Sequence, residues 1–274
     1  MAAQTVDALA GRGRFILGIG VSGPQIVEGW YGQPWGRPYY RIKDYVTIIK
    51  KIFARDEPVS HEGREISLPY FGEGAMGIGK PLKSILHTNP DLPVWLGTGT
   101  ESNVRLTAEI ADGWLPLGFV PGSMETYKPW LEQGFERAGN GKSLKDLEVQ
   151  TSTTVHITND VREAFRKMKP NIALYVGGMG HKDKNFHNDM MVRRGYEDAA
   201  KTIQELYLAG RKAEAIEAVP DEYCDEGSLV GPPDRIRERY KAWADSGITG
   251  LTVNTSQDEA VELMADVADV RPRA

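Results

Sequence analysis

The stretch LPVWLGTGTESNVRLTAEIADGWLPLG, residues 92–118, decides the fold. Its opening, Leu92-Pro-Val-Trp-Leu, is apolar at consecutive positions, as a strand buried on both faces must be. Gly97-Thr-Gly99 ends that run, and residues 101–111 then carry Val104, Leu106, Ala108 and Ile110 in a helical stretch. Gly113-Trp-Leu-Pro-Leu-Gly118 opens a second apolar run at once. Strand, glycine turn, helix and strand in so short a space is the unit from which parallel sheets covered by helices are built.

Outward from this unit the alternation continues. Upstream, a helix over residues 2–10 is stopped by Gly11 and Gly13, and Arg14-Phe-Ile-Leu-Gly-Ile-Gly20 reads as a buried strand entering a turn. Residues 24–38 read as a long loop rich in Gly, Pro and aromatics, before an amphipathic helix over 39–54 and a hairpin turned at Gly63. Downstream, helices are expected at 124–138, 159–174, 233–246 and 257–269, with strands at 147–157 and 250–254. A polar glycine loop is expected over 176–188, and a long helical region over 190–218 with a break near Gly210. This gives five core strands, near residues 15, 95, 115, 150 and 251; a closed (β/α)8 barrel has eight. With no internal repeat or low-complexity linker, residues 1–274 read as a single domain.

Composition narrows the function. The net charge is −5, with 33 Lys and Arg scattered among 38 acids, so no basic stripe exists for nucleic acid. Cys224 is the single cysteine, which excludes an intrachain disulfide and a multi-cysteine metal site. The acids around it, Asp221, Glu222, Asp225 and Glu226, disfavour a reactive thiolate. His61, His87 and His156 lack metal-ligand spacing, so no metal is expected. No stretch is apolar enough to span a bilayer and no signal peptide opens the chain, so a cytoplasmic location is expected.

Two glycine turns carry the chemistry. Gly18-Ile-Gly20-Val-Ser-Gly23 fits the dinucleotide pattern G-x-G-x-x-G, but Pro24 and the following loop delay the helix expected to receive a pyrophosphate. No acidic residue ends a second strand about twenty residues later, since Asp44 falls inside a helix. The second turn, Gly97-Thr-Gly-Thr-Glu-Ser-Asn103, leads straight into its helix. Backbone amides there suit a phosphate, with Thr98, Thr100 and Ser102 as further donors; a plain N-cap by Thr100 is the alternative.

Residues 13–29 (GRFILGIGVSGPQIVEG), 79–83 (GKPLK), 93–99 (PVWLGTG), 108–116 (AEIADGWLP) and 230–237 (VGPPDRIR) together resemble the luciferase-like monooxygenase family, and within it the members that use coenzyme F420. The resemblance spans nearly the whole chain, and A-E-I-A-D-G-W is its most specific part. It implies an α/β fold of (β/α)8 TIM-barrel type with insertions. It also implies that Arg14–Gly20 corresponds to the fourth strand, so that the first three strands would be absent. Gly20, Val21, Ser22 and Gly23 resemble the loop beside the cofactor ring, and Gly97, Thr98, Gly99 and Thr100 the segment that holds its phosphate. The family's proton-handling and ring-backing residues would lie before Met1, and the acidic residue frequent near Gly23 or Pro24 is missing.

The resemblance implies an oxidoreductase moving hydride between F420 and an organic substrate. The alternatives are an FMN-dependent monooxygenase using dioxygen and a non-catalytic barrel that binds cofactor or a homologous partner. Glu28 is the weak candidate for an acid or base. His181 and His187, in the glycine loop, suit a lid, a binder of the cofactor's acidic tail, or an ordinary exposed loop. Trp30, Tyr31, Trp35, Tyr39 and Tyr40 suit either an apolar substrate pocket or a loop pinned by its aromatics; Lys80 and Lys83 suit an anion. Open strand edges favour a homo-oligomer, with a small-molecule substrate and neither nucleic acid nor membrane as partner.

Overall fold

The unit read from residues 92–118 is present in the computed structural model, which describes residues 1–11 and 13–270. The described chain forms two compact units, Met1–Leu115 with Tyr127–Glu148, and Pro116–Thr126 with Val149–Ala274.

In the first unit α1 (Ala2–Ala10) precedes β1 (Leu17–Gly20), α2 (Pro24–Gly29) and α3 (Pro38–Ala54). A small antiparallel hairpin, β2 (His61–Glu62) and β3 (Ser67–Leu68), leads to β4 (Val94–Thr98), α4 (Glu101–Ile110), β5 (Gly113–Pro116) and α5 (Met124–Ala138). β4 lies between β1 and β5, and it pairs with β1 in parallel from Leu17↔Val94 to Gly20↔Gly97. Ile42, Val46 and Phe53 of α3 and Leu106 of α4 bury against Leu92, Val94 and Leu96. Each such side chain contributes about 1.5–3 kcal/mol on burial.

The A-D-G motif solves two packing problems between β4 and β5. Asp112 Oδ2 accepts the Val94 amide at 2.9 Å while its Oδ1 meets Lys50 Nζ at 2.8 Å. Gly113 leaves room for the Trp95 ring, because a Cβ there would lie 2.5 Å from it. The hairpin is held by Asp44 of α3, whose buried carboxylate accepts the Glu65 and Ile66 amides at 2.8 and 3.1 Å and bonds His61 Nε2 at 3.1 Å.

In the second unit β6 (Glu148–Ile157) pairs in parallel with β7 (Ser228–Gly231) through Thr154–Ile157 and with β8 (Gly250–Asn254) through Gln150–Thr154. Beyond β8, the Gln257 side chain completes the ladder, accepting the Ile157 amide at 2.7 Å and donating to its carbonyl at 3.0 Å. Helices α6 (Val161–Gly178), α7 (Phe186–Arg193), α8 (Glu197–Leu208), α9 (Lys212–Glu217) and α10 (Asp221–Glu226) bury Ala173, Met191, Ala200 and Ile203 among them. α11 (Pro233–Ala244) and α12 (Asp258–Val267) complete the described chain.

Four details differ from the sequence expectation. Residues 24–38 are not all loop, since Pro24 opens the short α2, a position where a missing N–H is harmless. The polar loop at 176–188 shrinks to 179–185, because α6 runs on to Gly178 and Asn185 starts α7. The helical region breaks at Gly195 (φ 88°) as well as at Gly210 (φ 78°). β7 is a sixth core strand, too short and too close to glycine to register as an apolar run.

Candidate functional site

The parallel register brings the two glycine turns together. Gly20, the last residue of β1, pairs with Gly97 near the end of β4, so both turns leave the carboxyl ends of neighbouring strands. That end is where parallel α/β folds bind ligands. The floor is open: a Cβ at Gly18 would meet nothing within 4 Å, and one at Gly20 would only touch the Gly97 carbonyl at 3.7 Å. Val21 and Gly23 are half-buried, and Ser22 is exposed with a left-handed backbone (φ 61°), an uncommon conformation for a residue with a side chain.

The Gly97–Thr100 turn is braced from beneath. Thr107 Oγ1 donates to the Asn103 carbonyl at 2.8 Å, so its contact with Thr98 Oγ1, also 2.8 Å, receives the Thr98 proton. The Thr98 carbonyl accepts Trp114 Nε1 at 3.0 Å, and Trp114 is fully buried with its ring 5.0 Å from that of Tyr127. The Thr98 hydroxyl, expected from sequence to meet a ligand, is thus spent on Thr107 inside the fold. Thr100 holds the N-cap of α4 (φ −91°, ψ 151°), and its hydroxyl does not cap the helix. The first-turn amides of a helix have no intrahelical acceptor and sit at its positive end, which suits an anion.

The other sequence candidates lie away from these two turns in the chain, several of them in structural contacts. Glu28 is exposed and its Oε1 accepts the Trp35 amide at 3.2 Å, which pins the loop after α2. Trp30 and Tyr31 are 80% and 68% exposed. Tyr40 instead packs on Tyr39 and under the Arg64 guanidinium, 4.5 Å from its ring. Residues 179–185 are anchored, since Asn185 caps α7 through its oxygen and donates to the Tyr175 and Val176 carbonyls. His187 stacks edge-on against Tyr175, and burial lowers its pKa, while His181 is exposed. Lys83 donates to the Asp56 carbonyl, and Lys80 is exposed. Burial, opposed by Lys169 and reinforced by Asp221, pushes the Cys224 thiol up to about 11. Among the described residues no cluster of His, Cys, Asp or Glu has a metal-binding arrangement, and no helix is long and apolar enough to cross a membrane. Sequence reasoning missed Thr107 and the role of Trp114; the available signals were a hydroxyl on the apolar face of α4 and an indole directly after a glycine.

Comparison with known proteins identifies the family. The profile of the luciferase-like monooxygenases matches residues 1–250. Over 266 residues the chain is 44% identical to Rv3520c of Mycobacterium tuberculosis, named as a candidate coenzyme F420-dependent oxidoreductase, covering 97% of this chain and 76% of that protein. The F420-dependent tetrahydromethanopterin reductase of Methanopyrus kandleri superposes with a TM-score of 0.72 at 23% identity, covering 96% of this chain and 75% of that one. The oxygenating constituent of a Pseudomonas putida diketocamphane monooxygenase, in complex with FMN, superposes at 0.55 and 18% identity, covering 96% and 72%. The expected loss of three N-terminal strands is not borne out, because these matches leave about a quarter of each relative uncovered without placing it at either end. The profile match over residues 1–250 and the 44% identity over nearly the whole chain make it a member of the luciferase-like monooxygenase family.

Proposed function

We propose that residues 1–274 act as one luciferase-like domain, an oxidoreductase that binds F420 across the turns at Gly20–Gly23 and Gly97–Thr100 and moves hydride between it and a small organic substrate. The observation that carries this reading is the Gly20↔Gly97 pairing, which sets an open glycine floor beside the start of α4. The fit is chemical as well as steric. A flat ring needs backbone without side chains above it, and a phosphate needs amides at a helix start. When bound, the cofactor supplies the hydride chemistry. The chain's own work is then to orient: Gly20, Val21, Ser22 and Gly23 flank the ring, and the main chain of Gly97, Thr98, Gly99 and Thr100 meets the phosphate. Thr98, tied to Thr107 and Trp114, keeps that segment from shifting under load. The 44% identity to a candidate F420-dependent oxidoreductase supports F420 over FMN. A cytoplasmic, homo-oligomeric enzyme belongs to the same proposal.

The test is a titration of the purified chain with F420 and, separately, with FMN, read by ligand fluorescence. Saturable F420 binding that Gly20→Val and Gly97→Val both weaken, with FMN weaker throughout, is the expected result. Tighter FMN binding would replace F420 with the flavin alternative. Binding of neither, or binding indifferent to both substitutions, would overturn the site.

A further inference from the structure

Lys142 lies far along the chain from those turns, between α5 and β6, on the wall of a cavity of about 610 Å³. Leu131, Phe135 and Leu144 are the apolar side chains that line it. Among the described residues the Lys142 ammonium donates to the Ala111 carbonyl, at 2.5 Å from Nζ. The neighbouring carboxylates are engaged elsewhere. Asp112 gives Oδ1 to Lys50 and Oδ2 to the Val94 amide, and Asp146 Oδ2 accepts both the amide and the hydroxyl of Ser143. Lys128, Glu132 and Glu136 are the other charged groups along the cavity.

We propose that Lys142 is a nucleophilic amine that captures small apolar aldehydes in this cavity. A lysine withdrawn from water, beside a like charge and without a carboxylate of its own, holds its proton less tightly. Burial, together with Lys50 and against Asp112 and Asp146, lowers the Lys142 pKa accordingly. The neutral amine's lone pair attacks the carbonyl carbon and a C–N bond forms. Both nitrogen-bound hydrogens end on the departing oxygen, so an imine and one water result with no net oxidation. The apolar walls select an alkyl or aryl group, and this capture is independent of the cofactor turns.

The experiment treats the full chain with benzaldehyde and sodium cyanoborohydride near neutral pH and maps the reduced adducts by peptide mass spectrometry. Lys142 is expected to label several-fold faster than the median exposed lysine. Lys50→Met, which removes the like charge, should slow it, and Asp112→Asn, which removes an opposite charge, should speed it. Lys142 labelling at or below the median, or a rate that Lys50→Met leaves unchanged, would overturn the proposal. Because Asp112 also ties β4 to β5, the Lys50→Met comparison decides the matter if Asp112→Asn does not fold.

Discussion

Replacing Trp114 by Phe separates the brace from the site it supports. The indole N–H donates to the Thr98 carbonyl at 3.0 Å, and Trp114 is fully buried. Phe keeps an aromatic ring against Tyr127 but leaves that carbonyl without its donor, which costs about 1–3 kcal/mol. The lost half of the indole leaves a void of roughly 40 Å³, worth about 1 kcal/mol at ~24 cal/mol per Å³. The sum is a destabilisation of about 2–4 kcal/mol, read from the urea midpoint by circular dichroism. A carbonyl freed from its donor also releases the turn, so F420 affinity should fall by roughly tenfold, equivalent to about 1.4 kcal/mol. A stability change under about 0.5 kcal/mol would refute the brace. Lost stability with unchanged F420 affinity would instead refute its coupling to the site.

Three further outcomes follow from the geometry. Burial alone would raise the Asp44 carboxyl, but the Glu65 amide, His61 and the Ile66 amide outweigh it and hold it below the ordinary carboxylate range. A depressed folded pKa adds stability that is full above the unfolded value and is lost as pH falls through the folded one, so Asp44→Asn should flatten the acid limb of the stability curve below about pH 4. Glu28→Gln keeps an acceptor for the Trp35 amide, so kcat should stay within about twofold and its pH profile should not move, whereas a shifted acidic limb would restore Glu28 as a catalytic group. Cys224, buried and held up to about 11, should resist iodoacetamide at pH 8 in the folded chain and react at once in urea, as followed by intact mass; prompt native labelling would contradict the packing around it.

One kind of strand was legible in the sequence as consecutive apolar residues, because such a run needs cover on both faces whatever its neighbours are. β4, with Val94 and Leu96 at 0% exposed, is that case. β7 escaped notice because Ser228–Gly231 is four residues long and reaches its place by pairing with β6, a contact no local pattern announces. The glycine turns were legible as turns, while their adjacency depends on the β1–β4 register and therefore on the fold. The polar loop misled for a related reason. Glycines at 177 and 178 read as hinges, yet both make room for the Tyr207 side chain, since a Cβ at either would lie about 2.5 Å from it. Small size for packing and freedom for motion look identical in a sequence.

The same ambiguity, resolved the other way, explains the A-D-G-W segment. The segment carried the resemblance most specifically, yet its tryptophan is fully buried and its glycine lies against the Trp95 ring. Asp112 satisfies the first amide of β4, Gly113 admits the ring of Trp95, and Trp114 satisfies the carbonyl of Thr98. All three act on β4, and what β4 delivers is the Gly97–Thr100 turn. If the turn holds the cofactor phosphate as proposed, bracing it from below favours binding without touching the ligand, because a main-chain anion site loses affinity when its amides must be ordered at each binding event. Nothing in that arrangement depends on the substrate. Under the proposed function the brace therefore bears on cofactor affinity, and substrate choice falls to other loops.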